Sequence, residues 1–263
     1  MNNTKISISD QLGRPISLPS PAIRIISLVP SITELLFDLG LKDRVVGVTK
    51  FCVHPAEASN QSRIGGTKNP KIDQIIALQP DLVIANKEEN RKEDFDALAE
   101  HFKVYVSDVV DLDSAFAMFN DLGILTATQP EAKLLINQIK TSWNSFLKPV
   151  AKVNVLYAIW KNPWMFAGID TYINHVLIHL GFDNSLHQNR YPQLDISQIK
   201  DLSPEFLFLS SEPYPFKNQD LVDLQQQLPH TKVLLVDGEA FSWYGSRMKH
   251  CASYLQQLMT ELT

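Results

Sequence analysis

Cys52 and His54 are the residues of this chain whose types and spacing first suggest chemistry. They stand two apart in Lys50-Phe51-Cys52-Val53-His54-Pro55. On an extended segment both side chains then face one side, where a thiolate and an imidazole can meet one metal. Read as nucleophile and base, the same pair would make a cysteine-dependent enzyme. Near neighbours on a strand rarely reach thiolate–imidazole geometry, however, and no third orienting group is evident. The plainer reading is a small buried thiol and a hydrogen-bonded loop histidine that shape a binding surface. His175 and His179 stand one helical turn apart, a spacing that zinc uses, but the glutamate and third ligand of a zinc-binding helix are missing. A solvated helix face is the simpler reading. The chain contains no Gly-x-Ser-x-Gly elbow, phosphate loop, His-Glu-x-x-His or Gly-x-Gly-x-x-Gly. Binding without turnover is therefore the expectation.

The elements around these residues are those of an ordinary globular chain. Its 263 residues are 44% apolar and 20% charged, enough to bury a real core and room for two small α/β lobes. Net charge is −5, with no concentrated basic face, which argues against nucleic acid as a partner. No apolar run approaches the roughly 18 residues of a membrane helix. Two cysteines cannot build a disulfide framework or a four-thiolate zinc site. The opening Met1-Asn2-Asn3-Thr4-Lys5-Ile6 lacks the apolar core of about 7–15 residues that a secretory signal needs. As encoded, the chain is expected in the cytoplasm, or in the periplasm if a signal has been removed.

Alternation around Gln11-Leu12-Gly13-Arg14 predicts a hairpin over residues 5–18. Arg24 to Pro30 is a nearly continuous apolar run, the pattern of a strand buried on both faces. Ser31 and Glu34 then read as a capping box for a helix that Gly40 ends. Strands follow at Val45–Val48, Asp81–Ala85 and Val104–Val106, with a helix opening at Pro70 and running to Leu78. In 128–147, Thr128 and Glu131 suggest a second capping box. Ala132, Leu135, Ile139, Trp143 and Phe146 repeat at helical spacing until Pro149. That is one long helix, and it reads as a connector.

Beyond it the first half is echoed. Ile32 to Leu41 can be laid on Ile173 to Phe182, and Asp73 to Ile84 on Ser197 to Phe208, in the same order. The predicted architecture is α/β: two Rossmann-like lobes joined by one long backbone helix, with a hairpin and first lobe over 1–127, the connector over 128–150 and the second lobe over 151–263. Ligands of open α/β sheets sit beyond the carboxyl ends of the strands. In the first lobe those positions bring forward Pro30, Phe51, Cys52, His54, Thr67 and Asn86. In the second they bring forward Trp160, Trp164, Tyr191, Trp243 and Tyr244. Three of the four tryptophans fall in such loops. Aromatic walls with few charges suit a large, flat, partly apolar ligand, held more by stacking than by charge.

The string Arg24-Ile-Ile-Ser-Leu-Val-Pro-Ser-Ile-Thr-Glu-Leu-Leu-Phe37, the phrase Ile75-Ile-Ala-Leu-Gln-Pro-Asp-Leu-Val-Ile-Ala85 and the long connector carry a resemblance. They resemble the periplasmic vitamin B12-binding proteins and, more widely, the helical-backbone (class III) substrate-binding proteins of ABC importers for siderophores, haem and metals. The resemblance implies a ligand held in the cleft between lobes, cobalamin or another metal chelate. The chain is expected to be a monomer without a cofactor of its own, and the spacing of Cys52 and His54, where the family has an aromatic residue nearby, leaves them as candidate contacts to the metal. The alternatives are a haem or ferric-siderophore receptor, or a sensor or scaffold that kept the fold without transport. It also implies an acidic residue on each lobe that docks on the importer's permease. Asp73 stands at the first position. Ser197 occupies the second, with Asp195 two residues before it.

Overall fold

The computed structural model describes residues 5–146, 148–149 and 152–262. The opening Met1–Thr4, the expected last residue of the connector at 147, the positions 150 and 151 at the expected lobe boundary, and Thr263 lie outside the described residues. The chain forms two compact units. The first runs to Val109 and takes in Asp113–Lys140 and Tyr244–Lys249, and the second takes Val110–Leu112, Thr141–Trp243 and the residues from His250 onward.

In the first unit, Ile6–Ser9 (β1) and Pro15–Leu18 (β2) pair antiparallel as the hairpin that their alternation predicts. Asp10 ties it down: its carboxylate accepts the backbone N–H of Leu12, Arg14 and Val106. Ile25–Ser27 (β3) is buried throughout and feeds directly into Pro30–Asp38 (α1). The expected Ser31–Glu34 capping box does not form. Proline at the first helical position already holds a helical φ, Val29 serves as N-cap without a side-chain bond, and Glu34 is drawn to Arg247. Val45–Val48 (β4) leads through a 3₁₀ turn at Ala56–Asn60 to Ser62–Arg63 (β5), Gly65–Gly66 (β6) and Asn69–Pro70 (β7). Pro70 thus pairs in a small hairpin rather than opening a helix, which starts at Ile72–Leu78 (α2). Then come Leu82–Asn86 (β8), Lys92–Ala99 (α3) and Lys103–Ser107 (β9). The parallel sheet has the order β5-β4-β3-β8-β9.

Leu112–Thr126 (α4) buries Phe116, Met118, Phe119, Leu122 and Leu125 on one side, while its wetter side carries Ala117 and Ile124 beside Asp113 and Asn120, which blurs the amphipathic pattern in the sequence. Gln129–Asn144 (α5) is the long helix of the periodic pattern. Ala132, Leu135, Ile139, Trp143 and, just past it, Phe146 are all buried. Gly123 lets the two helices close: a Cβ there would lie 3.2 Å from both the Ala132 Cβ and the Gln129 Cα.

The second unit comprises Val153–Trp160 (β10), Met165–Phe166 (β11), Tyr172–His179 (α6), Phe182–Asn184 (β12), Ile196–Leu202 (α7), Phe206–Ser210 (β13), Asn218–Gln227 (α8), Lys232–Val236 (β14), Gly238–Ser242 (α9) and Ala252–Leu262 (α11), with Arg247–His250 (α10) straddling the division. Its parallel strands run β12-β10-β13-β14, the order of β4-β3-β8-β9 in the first unit.

The echo in the sequence is therefore structural, and it extends to single backbone angles. Gly40 and Gly181 end α1 and α6 at φ 76° and 91°. Gln79 and Ser203 end α2 and α7 in the left-handed region, at φ 46° and 45°. A proline follows each, and then a carboxylate that braces the neighbouring strand. Asp81 accepts from Ile23 and Arg24 N–H at 2.8 and 3.1 Å, while Glu205 accepts from Asn154 N–H at 3.2 Å.

Glycine adopts that left-handed turn without the steric cost of about 1–2 kcal/mol that other residues meet. Gln79→Gly and Ser203→Gly should each stabilise by about 1 kcal/mol, and the gains should add because the sites share no partners. Urea midpoints would check this, and a fall in both variants would refute the account.

Candidate functional site

Each parallel sheet ends its strands in loops whose polar groups must be satisfied locally, since the strands behind them are apolar. In the first unit this is done by asparagines. Asn86 is buried, donating from Nδ2 to Ser107 O and Oγ and accepting the N–H of Glu88 and Glu89 on Oδ1. Asn90 accepts Asn86 N–H and donates to Leu28 O and Thr67 O. Asn86 and the Thr67 carbonyl thus shape the loop that follows β8. Pro30 is likewise buried, at the start of α1.

The loop after β4 sets Cys52 and Phe51 apart. Cys52 is fully buried, its sulfur 3.1 Å from Thr33 Oγ1 and 3.2 Å from Thr49 Oγ1. Burial pushes the thiol up, against those hydrogen bonds, so it stays protonated at neutral pH. His54 is half-buried beyond Val53. Among the described residues no three His, Cys, Asp or Glu side chains gather to hold a metal ion. The sulfur is committed to two threonines, which is not the arrangement of an open metal ligand. Phe51, by contrast, is 50% exposed. Its ring rests against Gly66, where a Cβ would lie 3.3 Å from Phe51 Cε2. Arg63 Nη1 donates to Thr49 O and Cys52 O and fixes the turn from below.

The segment Tyr244–Lys249 belongs to this unit and is tightly held there. Tyr244 is buried and its hydroxyl donates to Glu89 Oε1 at 3.2 Å. The Gly245 backbone lies so close to the Ser31 carbonyl that a Cβ would be 2.2 Å away. Arg247 grips Glu34 with two nitrogens, at 2.7 and 3.0 Å. Spacing within the sequence carries no sign of this pair, whose members are 213 residues apart.

In the second unit the three loop tryptophans differ. Trp160 is 40% exposed and meets Tyr214 edge-on at 5.5 Å. Trp164 stacks on Phe216, centroids 5.6 Å apart and planes within 5°, with Lys161 Nζ 5.7 Å from its ring. It packs on the core instead of standing out as a wall. Trp243 is 9% exposed, and its indole N–H donates to Glu212 Oε1 at 2.7 Å, an oxygen that Ser242 Oγ also reaches. Burial holds the Glu212 carboxyl above its usual range. Tyr191 is half-buried, with the Arg190 guanidinium 5.8 Å from its ring. His179 does not stand on a solvated face: its Nε2 lies 3.1 Å from Trp143 O and burial lowers its pKa.

Asp73 and Asp195 are both exposed at helix starts. Asp73 lies in the first turn of α2, while Asp195 is the N-cap of α7 and accepts from Gln198 N and Ser197 Oγ. Those bonds hold the Asp195 carboxyl below its usual range.

The profile of the periplasmic binding protein family matches residues 25–229. The chain belongs to the periplasmic binding protein family. That family is one of non-enzymatic substrate receptors, built on parallel sheets and helices as seen in both units. A vitamin B12-binding protein of Vibrio campbellii is 28% identical over 202 residues, covering 72% of this chain and 71% of that one. An uncharacterized ABC transporter substrate-binding lipoprotein of Bacillus subtilis is 24% identical over 213 residues, covering 76% and 67%. The crystal structure of a periplasmic vitamin B12 binding protein of Vibrio cholerae superposes with a TM-score of 0.74 over 92% of this chain and 98% of that one, at 21% identity.

A buried, protonated Cys52 should resist iodoacetamide at pH 8 in the folded protein and react only after denaturation; rapid native alkylation of Cys52 would contradict the placement. Glu212 gives a pH signature. With its folded value raised above the unfolded one, the contribution of Glu212 to stability is fully present in acid and is lost as pH rises through the raised value. Glu212→Gln keeps an acceptor for Trp243 and removes this titration. It should therefore gain on wild type as pH rises, measured by denaturation from pH 4 to 8, and a constant difference would refute it.

Proposed function

We propose that this family member is a receptor for a corrinoid, or a similar large metal chelate, in ABC-type uptake. The observation that carries the reading is the likeness to a vitamin B12-binding protein over 72% of the chain. The exposed aromatic rings support it. Each unit keeps one large ring in solvent at the carboxyl ends of its strands, Phe51 in the first and Trp160 in the second. An aromatic side chain buries about 150–250 Å² when covered, and exposing such rings beside apolar neighbours such as Val53 is costly unless a partner covers them. A flat macrocycle does so with little demand for hydrogen bonds. On this reading the chain works outside the cytoplasmic membrane, the ligand is cargo, and the exposed Asp73 and Asp195 meet basic residues of an importer. Trp243 and Tyr244 are given a supporting part, because Glu212 and Glu89 already hold them.

Titration with cyanocobalamin, followed by its visible absorbance or by calorimetry, tests the reading. Phe51→Ala and Trp160→Ala should each weaken binding by about 1–3 kcal/mol, the usual range for aromatic anchors. A wild-type protein that ignores cobalamin would end the corrinoid reading. Variants that bind as well as wild type would move the site away from these rings.

A further inference from the structure

The loops that carry Phe51 hold more positive than negative charge. From Thr49 to Asn69 there are three cations, Lys50, Arg63 and Lys68, against one carboxylate, Glu57, in a chain whose net charge is −5. Several cations elsewhere in the first unit meet carboxylates. Lys87 meets Asp108 at 2.6 Å, Arg91 meets Asp94 at 2.9 Å, and Arg247 meets Glu34 at 2.7 Å. None of the three has a carboxylate partner among the described residues. Arg63 is spent on the carbonyls of Thr49 and Cys52, and Lys68 Nζ on the Glu88 carbonyl at 2.5 Å. Lys50 is different. Its Nζ lies 4.9 Å from the Phe51 ring centroid, and ring and ammonium are both open to solvent.

That placement makes the shelf selective. The Lys50 backbone is fixed by its N–H bond to Gly65 O at 2.8 Å, and the Phe51 ring is backed by Gly66, so the two side chains meet on a built floor. An ammonium near a ring face gains from the ring's quadrupole. A neutral plane stacking on Phe51 must push the ammonium aside and lose that gain. A plane bearing a negative group at its rim keeps the ammonium as its counter-ion and adds a charge-assisted contact. The positive field of Arg63 and Lys68 acts in the same direction.

We propose that Lys50, set over Phe51, is a specificity residue that selects a flat macrocycle carrying an anionic group at its rim. The proposal rests on the receptor reading above and names the chemistry that its ligand should bear. Two sources offer it: the phosphodiester in the nucleotide arm of a complete corrinoid, and the carboxylates on the rim of a porphyrin.

The test measures dissociation constants of cyanocobalamin, dicyanocobinamide (the same ring without the nucleotide arm) and haemin for wild type, Lys50→Ala and Lys50→Arg, at low and high salt. Lys50→Ala should weaken the ligand with the rim anion about three- to tenfold while changing dicyanocobinamide less than about twofold. Lys50→Arg should restore the preference, and salt should reduce it. A selective loss for cyanocobalamin assigns the anion to the phosphodiester, and one for haemin assigns it to the carboxylates. Equal losses for all ligands, or no loss, overturn the proposal while the receptor reading stands. A wild type that binds none of the three removes the receptor reading, and the proposal with it. Lys50 is exposed and makes no core contact, so its variants should fold as wild type does.

Discussion

Burying both faces of a parallel sheet is the constraint on which the rest of this protein depends. It makes β3, β8 and β13 largely apolar runs, with polar side chains such as Ser27, Asn86 and Ser210 at their carboxyl ends. Most polar groups are displaced to the strand ends, where loops must satisfy their backbone within a few residues. Asn86 and Asn90 do this after β8, and Thr49 and Arg63 after β4. What is left over after that satisfaction includes Phe51 and Lys50 in one unit and Trp160 in the other, side chains that stay open to solvent.

The same constraint explains why the fold could be read from the sequence. Apolar runs such as Ile25–Ser27, the proline after each left-handed turn and the glycines at 40 and 181 are local signals, and they recur in the same order in both halves. The helix α5 was legible because one stripe is buried and the rest is wet. The helix α4 was not, since its wetter side carries the apolar Ala117 and Ile124 and dilutes the contrast between its faces. Boundaries slipped where a short pairing captured a residue that local rules give to a helix, as at Pro70.

For the candidate site, chain position singled out the loops at the strand ends but could not say which rings would face water. Trp160, Trp164 and Trp243 look alike in sequence. Only packing separates the exposed first from the second, stacked on Phe216, and the third, tied to Glu212. Cys52 similarly drew attention for its chemistry, yet two threonine hydroxyls and full burial make it part of the wall behind the loop. Long-range pairs such as Glu34 with Arg247 leave no trace in spacing at all.

That pair has a consequence for anyone who would divide the molecule. Tyr244–Lys249 comes late in the chain but belongs to the first unit, where Arg247 neutralises a carboxylate that is 8% exposed and Gly245 closes over Ser31. A fragment cut after the long helix would take Arg247 away from the buried Glu34 carboxylate and uncover the first turn of α1. The division visible in space is therefore not a division of the gene: the first half, expressed alone, would need the hexapeptide grafted back or Glu34 replaced before it could stand as an independent domain.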